Sequence, residues 1–322
     1  MKTRVLGRSG MEVSAIGLGC WAIGGATWRE GVPCGWSGSD DAESIRGLQK
    51  ALDLGIHFWD TADVYGCGHS EKLIARALAG RRNKVILATK FGYPINEEDR
   101  TTSGTRCDPA YIRSACEASL RRLNTDYIDL YQFHLGNSED GESVREVLEE
   151  LVDEGTIRYY GWSTDQPDRA RIFADGEHCT AIQQHLNVFG GNLETLRVCE
   201  ENDLASINRG PLAMGILTGK FTRSTTFPED DVRHRWDLQS GPESLELKHL
   251  EAVREILTSG GRTLAQGAIC WLWACSPVTI PIPGFKTVQQ VIENAGSLAF
   301  DPLLPNQMEE IERLLGREGG SV

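Results

Sequence analysis

Three apolar runs of this chain each finish on a side chain that can hold or pass a proton. The run from Ile56 ends at the carboxylate of Asp60, that from Val85 at the ammonium of Lys90, and that from Tyr127 at the imidazole of His134. Tyr65 follows Asp60 by five positions. Such a set suits reduction of an aldehyde or ketone by hydride, which leaves an alkoxide in need of a proton. A tyrosine hydroxyl can deliver it, although a phenol with a pKa of about 10 is poorly matched to neutral pH. A lysine ammonium about 4 Å away stabilises the phenolate by roughly 4 kcal/mol at an effective dielectric of about 20. That is enough to bring the pKa towards about 7 before burial opposes it. Asp60 would keep Lys90 protonated, and His134 would donate a hydrogen bond that orients the carbonyl. Singly, each residue has a plainer role: a turn cap for Asp60, a solvated strand end for Lys90, a satisfied loop histidine for His134, a buried aromatic for Tyr65. Their joint occurrence at consecutive strand ends points to chemistry.

For these groups to meet, the runs must be neighbouring parallel strands whose C-terminal ends share one rim. The rest of the chain repeats the required unit. Asp40 caps a helix that runs to about Leu54 and is ended by Gly55, and Asp108 with Pro109 opens another that reaches Leu123. Further strands are expected over residues 157–162, 181–186, 204–208 and 278–282, with helices between and after them. Eight strand-then-helix units without a composition break predict an α/β fold, a single-domain (β/α)8 TIM barrel over residues 1–322. Ahead of the first strand, residues 4–13 read as an N-terminal β-hairpin turning at Ser9-Gly10. Residues 20–40, 93–108 and 221–244 read as loops. Gly17-Leu18-Gly19-Cys20-Trp21-Ala22 matches the glycine fingerprint of a doubly wound nucleotide-binding sheet. No helix opens after it, however, and no acid ends a second strand at the expected place, so we read the match as coincidence.

Composition narrows the class. Mean hydropathy is −0.31 and no apolar run approaches the roughly 18 residues of a membrane span. The N-terminal residues lack the apolar centre of a signal peptide. Nine scattered cysteines, an odd number with no pair at zinc-knuckle or redox spacing, suit free thiols in a reducing cytoplasm. A net charge of −13 argues against nucleic acid as a general partner, yet leaves room for an anionic cofactor in a local nest of amides and cations. Nothing in the sequence fixes an oligomeric state.

Several blocks carry a family resemblance. They are the segment from Arg4 to Gly10 with Val13 to Gly19, and Asp60-Thr61-Ala62-Asp63-Val64-Tyr65-Gly66 with Ser70-Glu71. Pro211 to Lys220, and Ile282-Pro283-Gly284-Phe285 with Glu293-Asn294, complete the set. Together they resemble the aldo-keto reductases, NAD(P)H-dependent oxidoreductases that hold their cofactor extended across a barrel mouth. The resemblance implies Asp60, Tyr65, Lys90 and His134 as the catalytic tetrad, with NADP(H) favoured over NAD(H) and a small carbonyl compound as substrate. It places Ser163, Thr164 and Gln183 on the nicotinamide amide. Arg209 stands where many members stack an aromatic ring; it would stack its guanidinium there or turn to an acidic neighbour. Pro211, Leu212, Gly215 and Lys220 would line the pyrophosphate. Gly284, Phe285, Lys286, Gln290, Glu293 and Asn294 would hold the adenosine end, Lys286 facing a 2′-phosphate and Gln290 replacing a common arginine. Arg233 would fold over the pyrophosphate or remain a surface charge.

Trp21, Trp28 and Trp36 could wall the substrate pocket, with rim packing the alternative for the last two, and Trp21 also counts among the cofactor-facing residues. Trp271 and Trp273 are at core spacing, and Cys20 and Cys67 are read as bystanders. The rival of another class is a cofactor-binding regulatory or scaffold protein resembling the potassium-channel β subunits. A metal-dependent barrel hydrolase would need a close ligand set such as His-x-His.

Overall fold

The computed structural model describes residues 2–317. Eight strands form one parallel ring in chain order: β1 (Leu18–Gly19), β2 (Phe58–Asp60), β3 (Ile86–Phe91), β4 (Ile128–Phe133), β5 (Ile157–Ser163), β6 (Cys179–Asn187), β7 (Ala205–Arg209) and β8 (Thr279–Pro281). The ring closes where Gly17 N–H donates to Pro281 O (2.8 Å) and Gly19 N–H to Pro283 O (3.0 Å). A side chain at Gly19 would put its Cβ 2.6 Å from Ile282 O. The glycines that match a dinucleotide fingerprint by coincidence therefore serve barrel closure.

The helices outside the ring are α1 (Asp41–Asp53), α2 (His69–Ala77), α3 (Pro109–Leu123), α4 (Gly141–Asp153), α5 (Pro167–Ala174), α6 (Leu193–Glu201), α7 (Glu243–Thr258), α8 (Leu264–Cys275), α9 (Val288–Ala295) and α10 (Pro305–Leu314). Their starts follow the side chains that satisfy first-turn amides: Asp40, Asp108, Asn192, Thr263 and Thr287 each accept from a backbone N–H one turn on. Trp271 and Trp273 are buried on α8 in the layer between helices and sheet, as their spacing predicts. No helix among the described residues is long and apolar enough to cross a membrane.

Inside the ring, Phe58, Ala88, Leu130, Ala181, Ala205, Ile207 and Ile280 form a core closed from below by Leu6 and Val13. Those two come from the hairpin, Thr3–Val5 paired antiparallel with Glu12–Ser14. Its connection is longer than the expected Ser9-Gly10 turn: a 3-10 turn at Gly7–Ser9 is closed by Gly10 (φ 67°). The reason is that the connection itself plugs the barrel, with Thr180 Oγ1 donating to Leu6 O at 2.5 Å. Gly7 sits at φ 49°, and a Cβ there would lie 2.1 Å from Thr180 O, whereas one at Gly10 meets nothing. Gly7→Ala should therefore cost on the order of 3 kcal/mol and Gly10→Ala about 1 kcal/mol, read as shifts of the urea midpoint. Equal shifts would refute the plug.

Two expected loops are partly ordered as strands. Trp28–Arg29, Val32–Pro33, Ile95–Asn96 and Thr101–Thr102 make a four-stranded sheet. Two-residue strands are too short to leave a periodic trace in sequence.

Candidate active site

Strand alternation aims the chemistry. Phe58, Ala88, Leu130, Ala181 and Ile207 face the barrel interior, so the residues two positions further on face it too. They are Asp60, Lys90, Gln132, Gln183 and Arg209, and the same step again brings His134 from Gln132. A polar layer thus lies directly above the apolar one, at the C-terminal rim.

Lys90 is wholly buried and donates three hydrogen bonds: to Asp60 Oδ2 at 2.6 Å, to Thr61 O at 2.8 Å and to the Tyr65 hydroxyl at 3.1 Å. The other oxygen of Asp60 accepts from Gln132 Nε2 (3.0 Å) and Gln183 Nε2 (2.8 Å). The carboxylate is fixed by four strands at once. Trp21 stacks on the Tyr65 ring at 6.0 Å, and His134 meets its edge at 5.9 Å. Burial pulls the Lys90 proton affinity down, but Asp60 and Tyr65 more than reverse this, and its pKa lies above 10.5. Burial drives His134 well below its usual range, with Lys90, Arg209 and Arg29 adding to the effect, so it is a neutral imidazole. Among the described residues its Nδ1 is buried without a partner.

One expectation is reversed. Burial raises the Tyr65 pKa and, with Asp60, outweighs the pull of Lys90 and Arg209, leaving it above 10 rather than near 7. The ammonium is as close as supposed, but its charge is already shared with Asp60.

Asp60, Tyr65 and His134 line a cleft of about 650 Å³, with Lys90 beneath its floor. The same cleft is lined by Trp21, Ser163, Thr164, Gln183, Arg209, Pro211, Leu212, Gly215, Lys220, Arg233, Gly284, Phe285, Lys286, Gln290, Glu293 and Asn294. Residues from β5 to α9 thus meet along one surface. Among the described residues no group of three or more His, Cys, Asp and Glu could hold a metal ion.

A family model for the aldo/keto reductases matches residues 15–315. The chain belongs to this family. It is 34% identical to the Schizosaccharomyces pombe protein named aldo-keto reductase yakc [NADP(+)], the match covering 92% of this chain and 86% of that one. Among solved structures it resembles the glycerol dehydrogenase AKR11B4 of Gluconobacter oxydans (TM-score 0.82, 32% identity, 97% and 94% of the two chains). It also resembles an aldo/keto reductase of Klebsiella pneumoniae in complex with NADP and acetate (TM-score 0.71, 25% identity, 100% and 98%). The protein is therefore an oxidoreductase.

Within this aldo-keto reductase several side chains have partners that the sequence does not disclose. Arg209 lines the cleft but is paired with Asp165, the plainer of its two expected roles. The Thr164 hydroxyl donates to Gly136 O, and Gln183 gives its amide nitrogen to Asp60, which leaves Oε1 for a ligand. The Gln290 side chain accepts from Thr287 N–H and from Lys286 N–H (2.7 Å), so it caps α9. Arg233 is not a solvated surface charge. It is buried, forks onto both oxygens of Asp231 (2.7 and 2.9 Å), and lies between the rings of Trp36 and Phe227, 4.3 Å from each. Asp231 also accepts from Ser37 N–H and Oγ, stitching the first loop to the excursion after β7. Trp21 and Trp36 line the cleft; Trp28 is not among its lining residues. Burial first, then neighbouring Cys34 and Asp63, pushes the Cys67 thiol up to about 12, and burial raises Cys20 well above 9, so neither is a nucleophile.

Sequence reading passes over Gln132, Tyr93 and Arg29. Gln132 had a signal, lying on the strand two positions before His134, which follows the strand's end. Ala213 (φ 46°) and Met214 (φ 48°) hold consecutive left-handed conformations just before Gly215, a strain of roughly 1–3 kcal/mol each that persists where a site needs it.

Proposed function

We propose that this reductase converts aldehydes or ketones to alcohols, reversibly, with NADPH as the hydride donor. The observation that carries the reading is the Asp60–Lys90–Tyr65 chain of hydrogen bonds on the floor of a cleft shaped for an extended ligand. The cleft suits a cofactor with several phosphates. Lys220, Lys286 and Arg233 crowd its far arm, and burial together with their mutual repulsion depresses both lysines despite Asp231 and other nearby carboxylates. An anionic ligand relieves that repulsion. The NADP(+) in the name of the fission-yeast relative and the NADP bound to the Klebsiella structure support the same choice.

A nicotinamide held in this cleft would supply the hydride for the carbonyl carbon. His134, neutral, donates a hydrogen bond to the carbonyl oxygen and fixes its direction. Tyr65 passes its hydroxyl proton to the same oxygen. Lys90 stands 3.1 Å from the phenolate that results and stabilises it, and Asp60 keeps Lys90 charged. Gln132 and Gln183 hold Asp60, and Trp21 holds the Tyr65 ring. The nine free cysteines support a reducing compartment such as the cytoplasm.

The test is NADPH oxidation followed by absorbance with a panel of aldehydes, beside titrations of NADPH and NADH read by protein fluorescence. Turnover is expected, with NADPH bound more tightly than NADH. Lys286→Ala should weaken NADPH about tenfold and leave NADH within twofold, the loss of one charge-assisted contact. Tight NADPH binding without turnover of any aldehyde would favour a cofactor-binding regulatory protein instead.

A further inference from the structure

Resting on the carbonyl-reductase reading, we propose that Arg29 selects substrates carrying an oxyanion, a carboxylate or phosphate, a short distance from the reacting carbonyl. Arg29 belongs to the small sheet over the mouth and lines the cleft. Its guanidinium lies 4.1 Å from the Tyr93 ring centre, and that ring meets His134 edge-on at 5.3 Å. A single aromatic ring therefore separates the group that orients the carbonyl from a fixed cation.

That cation has no anionic partner among the described residues. Among the described residues the Arg29 side chain makes no hydrogen bond and no ion pair, and its Nε is buried without a partner. Three other cations at the cleft are held by carboxylates. Lys90 is held by Asp60, Arg209 by Asp165 and Arg233 by Asp231. Lys220 and Lys286 belong to the opposite arm, near Glu293 and Asp231. In a chain with 46 acidic residues against 33 basic ones, half-buried Arg29 has no carboxylate partner and its buried Nε is left unsatisfied. A guanidinium presents five N–H donors in a planar fork that matches a carboxylate or phosphate. The stacked ring holds that fork in place, so a ligand anion loses little in ordering it. Arg29 also contributes to the depression of His134, after burial, Lys90 and Arg209. Its field thus reaches the reacting end.

The opposing possibility is that Arg29 only packs on Tyr93 and steadies the small sheet. Steady-state kinetics of 4-carboxybenzaldehyde and its uncharged partner 4-carbamoylbenzaldehyde separate the two, using wild type, Arg29→Met and Arg29→Lys. Wild type should favour the carboxylate by roughly ten- to a hundredfold in kcat/KM, mainly through KM. Arg29→Met should erase that ratio and leave the carbamoyl substrate within about twofold, with Arg29→Lys between. Glyceraldehyde 3-phosphate against glyceraldehyde repeats the comparison for phosphate. No preference in wild type for either anion, or a loss in Arg29→Met that falls equally on charged and neutral substrates, overturns the proposal.

A second readout needs no turnover. With NADP+ present, benzoate but not benzamide should quench the fluorescence of wild type, and Arg29→Met should lose the benzoate response. If no aldehyde is reduced while benzoate still binds through Arg29, the reductase reading fails and the anion site stands. If aldehydes are reduced and benzoate binds no better than benzamide, the anion site fails alone.

Discussion

Tyr65→Phe is expected to lower kcat for aldehyde reduction by about a thousandfold or more and to leave the NADPH dissociation constant within about twofold. The phenylalanine keeps the ring between Trp21 and His134 and removes only the proton source, whose contribution as a general acid is typically a hundred- to ten-thousandfold. The pKa of Tyr65 decides the pH profile. Burial holds it above 10, and burial holds His134 well below 6.5. The acid is thus protonated and the imidazole neutral throughout the physiological range. Reduction should run at a flat rate from about pH 7 to about pH 9, and fall only as pH rises through the Tyr65 value. A Tyr65→Phe variant with near wild-type kcat would transfer the proton to another donor, and Tyr65 would then be a wall of the cleft.

Much of this site is legible in the amino-acid order because the period of two does the aiming. Once three apolar runs are taken as parallel strands, Asp60, Lys90 and His134 must converge, and the barrel brings them together. Helix starts were equally readable where a cap stands alone, as at Asp108 and Pro109, since the first-turn amides leave few solutions. The capping pair Thr287 and Gln290 was readable too, although the family resemblance drew Gln290 towards the adenosine end of the cofactor. Partner choice among loops was not legible. Arg209 finds Asp165, and Arg233 lies between Trp36 and Phe227, only because of how irregular segments run over the rim. The Tyr65 pKa shift also escaped, because its sign is set by burial against Coulomb attraction and sequence reveals only the attraction.

The Asp60–Lys90 pair gives the second large effect, on stability as well as rate. All three ammonium protons of Lys90 are used, and both partners are buried, Lys90 at 0% and Asp60 at 2% exposure. Lys90→Met should abolish reduction and cost about 3–5 kcal/mol, because it strands a buried carboxylate whose remaining side-chain partners among the described residues are the amides of Gln132 and Gln183. Adding Asp60→Asn to Lys90→Met should restore part of that loss while activity stays absent, since no unpaired charge is then left in the floor. The sign of the pH dependence follows from the raised Lys90 value. Its contribution is complete below the ordinary lysine pKa of 10.5 and is lost only as pH climbs through the higher folded value. Urea unfolding of wild type, Lys90→Met, Asp60→Asn and the double variant near neutral pH therefore measures each change against a wild type whose Lys90 is fully charged. A double variant as unstable as the sum of its single changes would mean that the two charges are independent. The pair would then no longer explain how Lys90 stays protonated beneath the cleft.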